Sequence, residues 1–182
     1  MFTIDLGGGA DLMLRDRSTD VAVHKVINAN LDRLREWEPW ALEEQSLIQV
    51  ASFSAYMLGQ WVRGEAVPTV IRVDGAVAGA ATARIEPFNK VATLGYWIAA
   101  EHAGRGLVTR GVAALLDVLF DELAVARASI DTAVTNRRSR AVAERLGFTH
   151  EGTLRSAQEF GDERRDLAVY GLLREEWLAR RR

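Results

Sequence analysis

The chain has 182 residues, 48% of them hydrophobic and 26% charged, with a formal net charge of -2; that suffices for one core of ordinary size and leaves no global field to draw nucleic acid or an anionic membrane. It has no cysteine, which excludes disulfides, thiolate metal sites and an acyl-cysteine intermediate, and which fits a reducing cytoplasm. Residues 1–9 hold no basic segment followed by an apolar run, no later stretch approaches the roughly 20 apolar residues that cross a bilayer, and His24, His102 and His150 stand far apart without a His-Glu-x-x-His pattern.

The chain is therefore expected to be a cytoplasmic protein of one domain, residues 1–182, with no metal, nucleic-acid or membrane partner. Residues 12–15 read as a short strand. Ser18-Thr19-Asp20 can cap a helix whose apolar positions Val23, Ile27, Leu31 and Leu34 follow helical spacing and which ends near Trp37-Glu38-Pro39-Trp40. A second helix carries Leu47, Val50, Ala51, Ser54, Leu58, Trp61 and Val62 on one face and stops at Gly64, ahead of Pro68. Residues 69–73, an Asp74-Gly75 turn and residues 77–84 form a hairpin, since Asp-Gly tolerates the positive φ of a tight turn.

A strand over residues 91–100 runs through Glu101-His102-Ala103-Gly104-Arg105-Gly106 into a periodic helix with Val108, Val112, Leu115, Leu116, Leu119, Phe120 and Leu123. Residues 129–134 form the next strand and 139–146 a short helix, and two last strands lie near 149–154 and 164–172. The pattern predicts an α/β (α+β) fold: one mixed, largely antiparallel sheet with helices on both faces.

The glycine loop is the first chemical signal. A helix start presents unpaired N–H groups and the positive end of the helix dipole, and Gly104 and Gly106 would let a pyrophosphate approach them closely. A dinucleotide fingerprint fails because its third glycine would fall at Thr109, and a P-loop fails because no Gly-Lys-Ser/Thr follows. A phosphate site and a plain structural turn both stay open at this point.

One strand later come Asn136-Arg137-Arg138-Ser139 and Leu146-Gly147-Phe148, and with the glycine loop they resemble the GNAT N-acetyltransferase superfamily. Within it, Arg84-Ile85-Glu86-Pro87-Phe88-Asn89-Lys90, Leu94-Gly95-Tyr96-Trp97-Ile98 and residues 136–152 are similar to the ribosomal-protein-serine N-acetyltransferases. The resemblance implies acetyl-CoA as cosubstrate and two parallel strands, near 91–100 and 129–134, that splay to admit the pantetheine arm. Gly104, Arg105, Gly106, Leu107, Val108 and Thr109 would then meet the CoA phosphates, although Ala103 and Val108 depart from the family's Gln/Arg-x-x-Gly-x-Gly/Ala frame.

Resemblance also distributes the chemistry. A backbone N–H near Ile98 would polarise the acetyl carbonyl, and Asn136 would bind the pantetheine amides or end the strand. Where many members carry a thiolate-protonating tyrosine, this chain has Ala143; Tyr56, Tyr96 and Tyr170 all lie off that helix, so Ser139 becomes the expected proton donor, against the plainer reading of a helix cap. The family's general base aligns with Gln158, which cannot take a proton, so the role falls to Glu159 if the strand shifts by one residue, or to Glu86.

Trp37, Trp40 and Glu86 are expected at the acceptor, the tryptophans either as a groove wall or as core. Arg105, Arg137 and Arg138 can pair with CoA phosphates, and Arg180-Arg181-Arg182 reads as a frayed tail. The leading expectation is direct acetyl transfer to a protein α-amine, such as a ribosomal-protein N-terminus, with a homodimer left open. A small-amine acceptor, a succinyl-CoA donor and a non-catalytic CoA-binding module are the alternatives.

Overall fold

A computed structural model describes residues 2–181; the readings that reach Met1 and Arg182 lie outside the described residues. Its strands are β1 (Thr3–Gly7), β2 (Ala10–Leu14), β3 (Ala66–Val73), β4 (Ala76–Glu86), β5 (Val91–Ile98), β6 (Arg127–Ala133), β7 (Thr149–Phe160) and β8 (Glu163–Leu173). They form one sheet in the order β1-β2-β3-β4-β5-β6-β8-β7. Only the β5–β6 pair is parallel.

Strand alternation separates two cores. On one face Leu12, Ile71, Ala81, Leu94 and Ile130 pack against Leu107, Val112, Leu115, Leu116 and Leu119 of α4 (Leu107–Asp117) and its π-helical extension Val118–Glu122, and against α5 (Arg137–Leu146). On the other face Met13, Val70 and Trp97 meet Val23 and Ile27 of α1 (Asp20–Ala29), Leu34 of α2 (Leu31–Leu34) and Val50 of α3 (Leu47–Val62). The predicted class holds: a mixed, mostly antiparallel sheet with a helical layer on each side.

Several local expectations change. The strand β1 is additional and β7 runs on to Phe160, past the expected 154, whereas β8 keeps its expected bounds to within a residue at each end. The helix expected to run on to Leu34 breaks at Asn30, whose Nδ2 donates to the Val26 carbonyl at 2.9 Å while its Oδ1 accepts from the Ala100 N–H at 2.8 Å. Its start is organised by Asp16, whose carboxylate accepts from the Ser18 N–H at 2.8 Å and so caps a short 3-10 turn, Arg17–Thr19. α3 buries Val50, Ser54 and Met57 and packs Trp61 against Phe2, whereas Val62 is 83% exposed. A last helix, α6 (Arg174–Ala179), anchors the carboxyl terminus through Trp177, whose Nε1 donates to Asp117 at 2.8 Å. Arg181 pairs with Asp117 at 3.0 Å and Asp121 at 2.7 Å, so at that residue the tail is docked rather than frayed.

The feature that makes a site is the short β5–β6 pairing, which covers only Val91↔Arg127, Ala92↔Ala128 and Thr93↔Ser129. Beyond it the strands part. β5 stays paired with β4 as far as Gly79↔Ile98, and the Ala99 N–H donates to the Ala78 carbonyl at 2.8 Å. Because backbone groups alternate sides along a strand, this bond turns the N–H groups of Tyr96 and Ile98 toward the gap.

Gly79 holds that geometry, since a Cβ there would run into the Trp97 carbonyl oxygen and the Ile98 backbone. Gly79→Ala should lower stability by about 1–3 kcal/mol, as overpacking does, seen by calorimetry as a melting temperature lower by about 2–10 °C. The same variant should raise the KM for acyl donor through displacement of Ile98. A variant with wild-type melting and kinetics would show that β4 can yield at no consequence to the gap.

Candidate active site

The parted strands open into a cleft of about 1560 Å³. At one end lies the start of α4, where Gly104 (φ +76°) and Gly106 (φ +72°) occupy the left-handed region. Gly106 is the N-cap and no side chain caps the helix, so the first N–H groups of α4, over Leu107, Val108 and Thr109, are presented to the cleft that these residues line. Arg110, Arg137 and Arg138 line it too. Arg105 does not; its guanidinium meets His102 Nδ1 at 3.1 Å on the exposed side of the loop. This end suits a polyanion such as a pyrophosphate.

In the middle of the gap stand Ile98, Asn136, Ser139 and Tyr96. Asn136 is the N-cap of α5, and its Oδ1 accepts from the Ser139 N–H at 3.1 Å. The cap is therefore Asn136, and the Ser139 hydroxyl is left for another partner. That partner is Tyr96, whose Oη lies 2.9 Å from Ser139 Oγ and 3.2 Å from the Ser139 carbonyl oxygen. Burial pushes the Tyr96 phenol up to about 12, the bond to Ser139 opposes this, and the negative charge of Glu38 adds to it. The phenol stays protonated near neutral pH and can donate.

The far end is built from Trp37, Glu38 and Trp40, which line the cleft with Trp97 and Gln158. Trp40 and Trp97 lie 6.5 Å apart between ring centroids, and Trp40 Nε1 donates to Glu38 Oε2 at 2.8 Å. Burial holds the Glu38 carboxyl above its ordinary range, with the Trp40 bond pulling the other way. The β7–β8 hairpin is tied to this segment by Arg165, whose Nη1 donates to the Glu36 carbonyl at 2.8 Å. Both tryptophans thus stand at the groove, Trp40 at 40% exposure.

Neither carboxylate expected as a base reaches the cleft. The β7–β8 register Gln158↔Arg165 and Glu159↔Arg164 sets Gln158 at the cleft and turns Glu159 to the exposed opposite side. Glu86 is exposed and caps its own turn, its two oxygens accepting from the N–H groups of Phe88 and Asn89 at 2.8 Å each. Those bonds, Asn89 foremost, lower its pKa. What the sequence reading missed is Glu38 and Tyr96. Glu38 lies between two tryptophans already singled out, which is the available signal; Tyr96 lies off α5 in sequence, and only the sheet shows that it reaches across.

A parallel strand pair parted beside an uncapped helix start defines an acyl-CoA transferase architecture. Residues 11–149 match the family model described as an acetyltransferase (GNAT) domain, and the chain belongs to that family. It is 30% identical over 182 residues to the provisionally named ribosomal N-acetyltransferase YdaF of Bacillus subtilis, covering 97% of this chain and 98% of that protein. It is 37% identical over 87 residues to the ribosomal-protein-serine acetyltransferase of Escherichia coli, 48% of this chain and 49% of that one. Among solved structures, RimL, a ribosomal L7/L12 alpha-N-protein acetyltransferase in complex with coenzyme A, superposes with a TM-score of 0.91 at 26% identity, over 96% of this chain and 99% of that chain. The protein is accordingly an N-acetyltransferase that uses acetyl-CoA.

Replacing Gly106 by Trp places a bulky side chain at the helix start and forces it into a left-handed conformation. Calorimetry on Gly106→Trp should show acetyl-CoA affinity reduced about tenfold or more, the equivalent of losing one charged hydrogen bond. Unchanged affinity in a folded variant would move the phosphate site elsewhere.

Proposed function

We propose that the enzyme acetylates the α-amino group of a protein N-terminus, of the ribosomal-protein-serine kind, by direct transfer in the cytoplasm. The observation that carries this reading is the Ser139–Tyr96 pair beside the strand gap, in a chain whose similarity to a ribosomal N-acetyltransferase runs nearly end to end. The absence of cysteine excludes an acyl-cysteine intermediate. Gly104, Gly106 and the first residues of α4 hold the pyrophosphate, Arg110, Arg137 and Arg138 add charge, and Asn136 orients α5 beside the pantetheine arm.

The acetyl carbonyl points at the Ile98 N–H, which stabilises the oxygen as it gains charge during attack. When the C–S bond breaks, Ser139 Oγ gives its proton to the thiolate. Either hydroxyl can donate in the Ser139–Tyr96 bond; when the phenol turns its proton from the Ser139 carbonyl to Oγ, the serine hydrogen is free to face sulfur and the phenol can refill it. The tryptophan-lined end of the cleft, Trp37 and Trp40, receives the acceptor's first residues.

A thiol-release screen with acetyl-CoA and succinyl-CoA against serine-terminal peptides and a panel of small amines tests the acceptor. Preference for acetyl-CoA and serine-terminal peptides is expected; preference for a small amine would overturn the protein substrate. Ser139→Ala should lower kcat by roughly 10²-fold or more, the scale of general acid catalysis, and leave acetyl-CoA affinity near wild type. A loss confined to KM would make Ser139 a binding residue.

A further inference from the structure

We infer that Glu38 is the proton acceptor for the attacking amine, with the Gln158 side-chain oxygen accepting a second N–H from the same nitrogen. This rests on the reading of the cleft as an amine-acylation site. Two carboxylates line that cleft among the described residues, Glu38 and Asp131. Asp131 is exposed on β6, and the charges that act on it are those of Arg127 and Glu151, themselves an ion pair. Glu38 is instead bonded to Trp40, whose ring lies 6.5 Å from that of Trp97, the residue between Tyr96 and Ile98 on β5, so it borders the cleft beside the strand that carries both.

Two further observations fix its role. Glu38 is held by the 2.8 Å bond from Trp40 Nε1 to its Oε2 and closes the aromatic end of the cleft. Gln158 Oε1 is buried without a hydrogen-bond partner, although the residue lines the same cleft. A buried orphan acceptor is costly unless something supplies a donor, and an incoming ammonium or amine supplies one. A neutral acceptor and a carboxylate then share one nitrogen. Burial makes Glu38 a stronger base than a solvated glutamate. The other charged or titratable groups lining the cleft are Arg15, Arg33, Arg84, Tyr96, His102, Arg110, Asp131, Arg137, Arg138 and Arg145, and the Glu38 shift comes from burial rather than from these.

The proton balance closes. Glu38 takes the ammonium proton and passes it to water, and the neutral nitrogen attacks the acetyl carbon. As the C–S bond breaks with its electron pair on sulfur, the surplus proton on nitrogen goes to the freed carboxylate. Ser139 supplies one proton to the thiolate, and solvent refills the Ser139–Tyr96 pair. The products are amide, coenzyme A thiol and one net proton.

The test uses whichever amine the wild-type enzyme turns over fastest, so that failure of the serine-peptide reading and failure of this one are separate results. Glu38→Gln should lower kcat/KM near pH 7 by roughly 10²–10⁴-fold, with calorimetric acetyl-CoA affinity unchanged. Its acidic limb should move to the amine's own ionisation, about 7.7–8.0 for an α-amine, with rate recovered at higher pH. Trp40→Phe keeps a ring but deletes the donor that favours the ionised carboxylate; whatever happens to the plateau through acceptor binding, its acidic limb should move to higher pH, which a merely structural tryptophan would not do. Glu38→Gln within about threefold of wild type with the same limb would overturn the inference. So would the same rescuable loss in Glu159→Gln or Glu86→Gln in place of Glu38→Gln, or a Trp40→Phe profile with an unmoved limb.

Discussion

The site depends on one constraint: β5 and β6 pair over three residues and then separate while each remains bonded to its other neighbour. An edge strand with bare N–H groups is normally a liability. In the middle of a sheet it becomes a slot whose donors are shielded from other proteins and held by the ladders on either side. Tyr96 and Ile98 face their N–H groups into that slot because the β4 ladder uses the alternate positions. The same parting carries the Tyr96 phenol to Ser139 on the helix after β6.

Each side of the slot is furnished by elements that obey ordinary local rules. Glycines in the left-handed region let the loop after β5 turn directly into α4 without a side chain over its first N–H groups. Asn136 takes the cap of α5, which frees the serine three residues later for a different bond. On the acceptor side, the break at Asn30 and the proline after Glu38 bring the 34–42 segment across the open end of the sheet, and Asn30 bonds the backbone at Ala100. That single amide ties the tryptophan-lined wall of the cleft to the loop that precedes α4.

Burial rather than ion pairing sets the protonation of the groups in the cleft. Tyr96 is pushed up by desolvation, and Glu38 is raised by it. A phenol that keeps its proton can give one, and a carboxylate with raised proton affinity can take one. They differ in what restrains them: Tyr96 is opposed by a serine on the donor side, Glu38 by a tryptophan on the acceptor side.

The sequence by itself determined the family and the sheet class, and it marked the two helix starts that line the cleft. Gly104 and Gly106 ahead of a periodic helix, and Asn136 and Ser139 at the start of the next, are short-range patterns whose geometry follows from helix termini alone. The acceptor end was decided by tertiary structure. An irregularity in β7, between Leu154 and Gln158, determines which of Gln158 and Glu159 faces the cleft, and a one-residue slip exchanges them. Tyr96 and Ser139 are 43 residues apart and meet only because β5 and α5 flank the same gap. Glu38 becomes a chemical group only when the cleft buries it and Trp40 bonds it. Desolvation and strand register are properties of the packed sheet, and neither is written in any local run of residues.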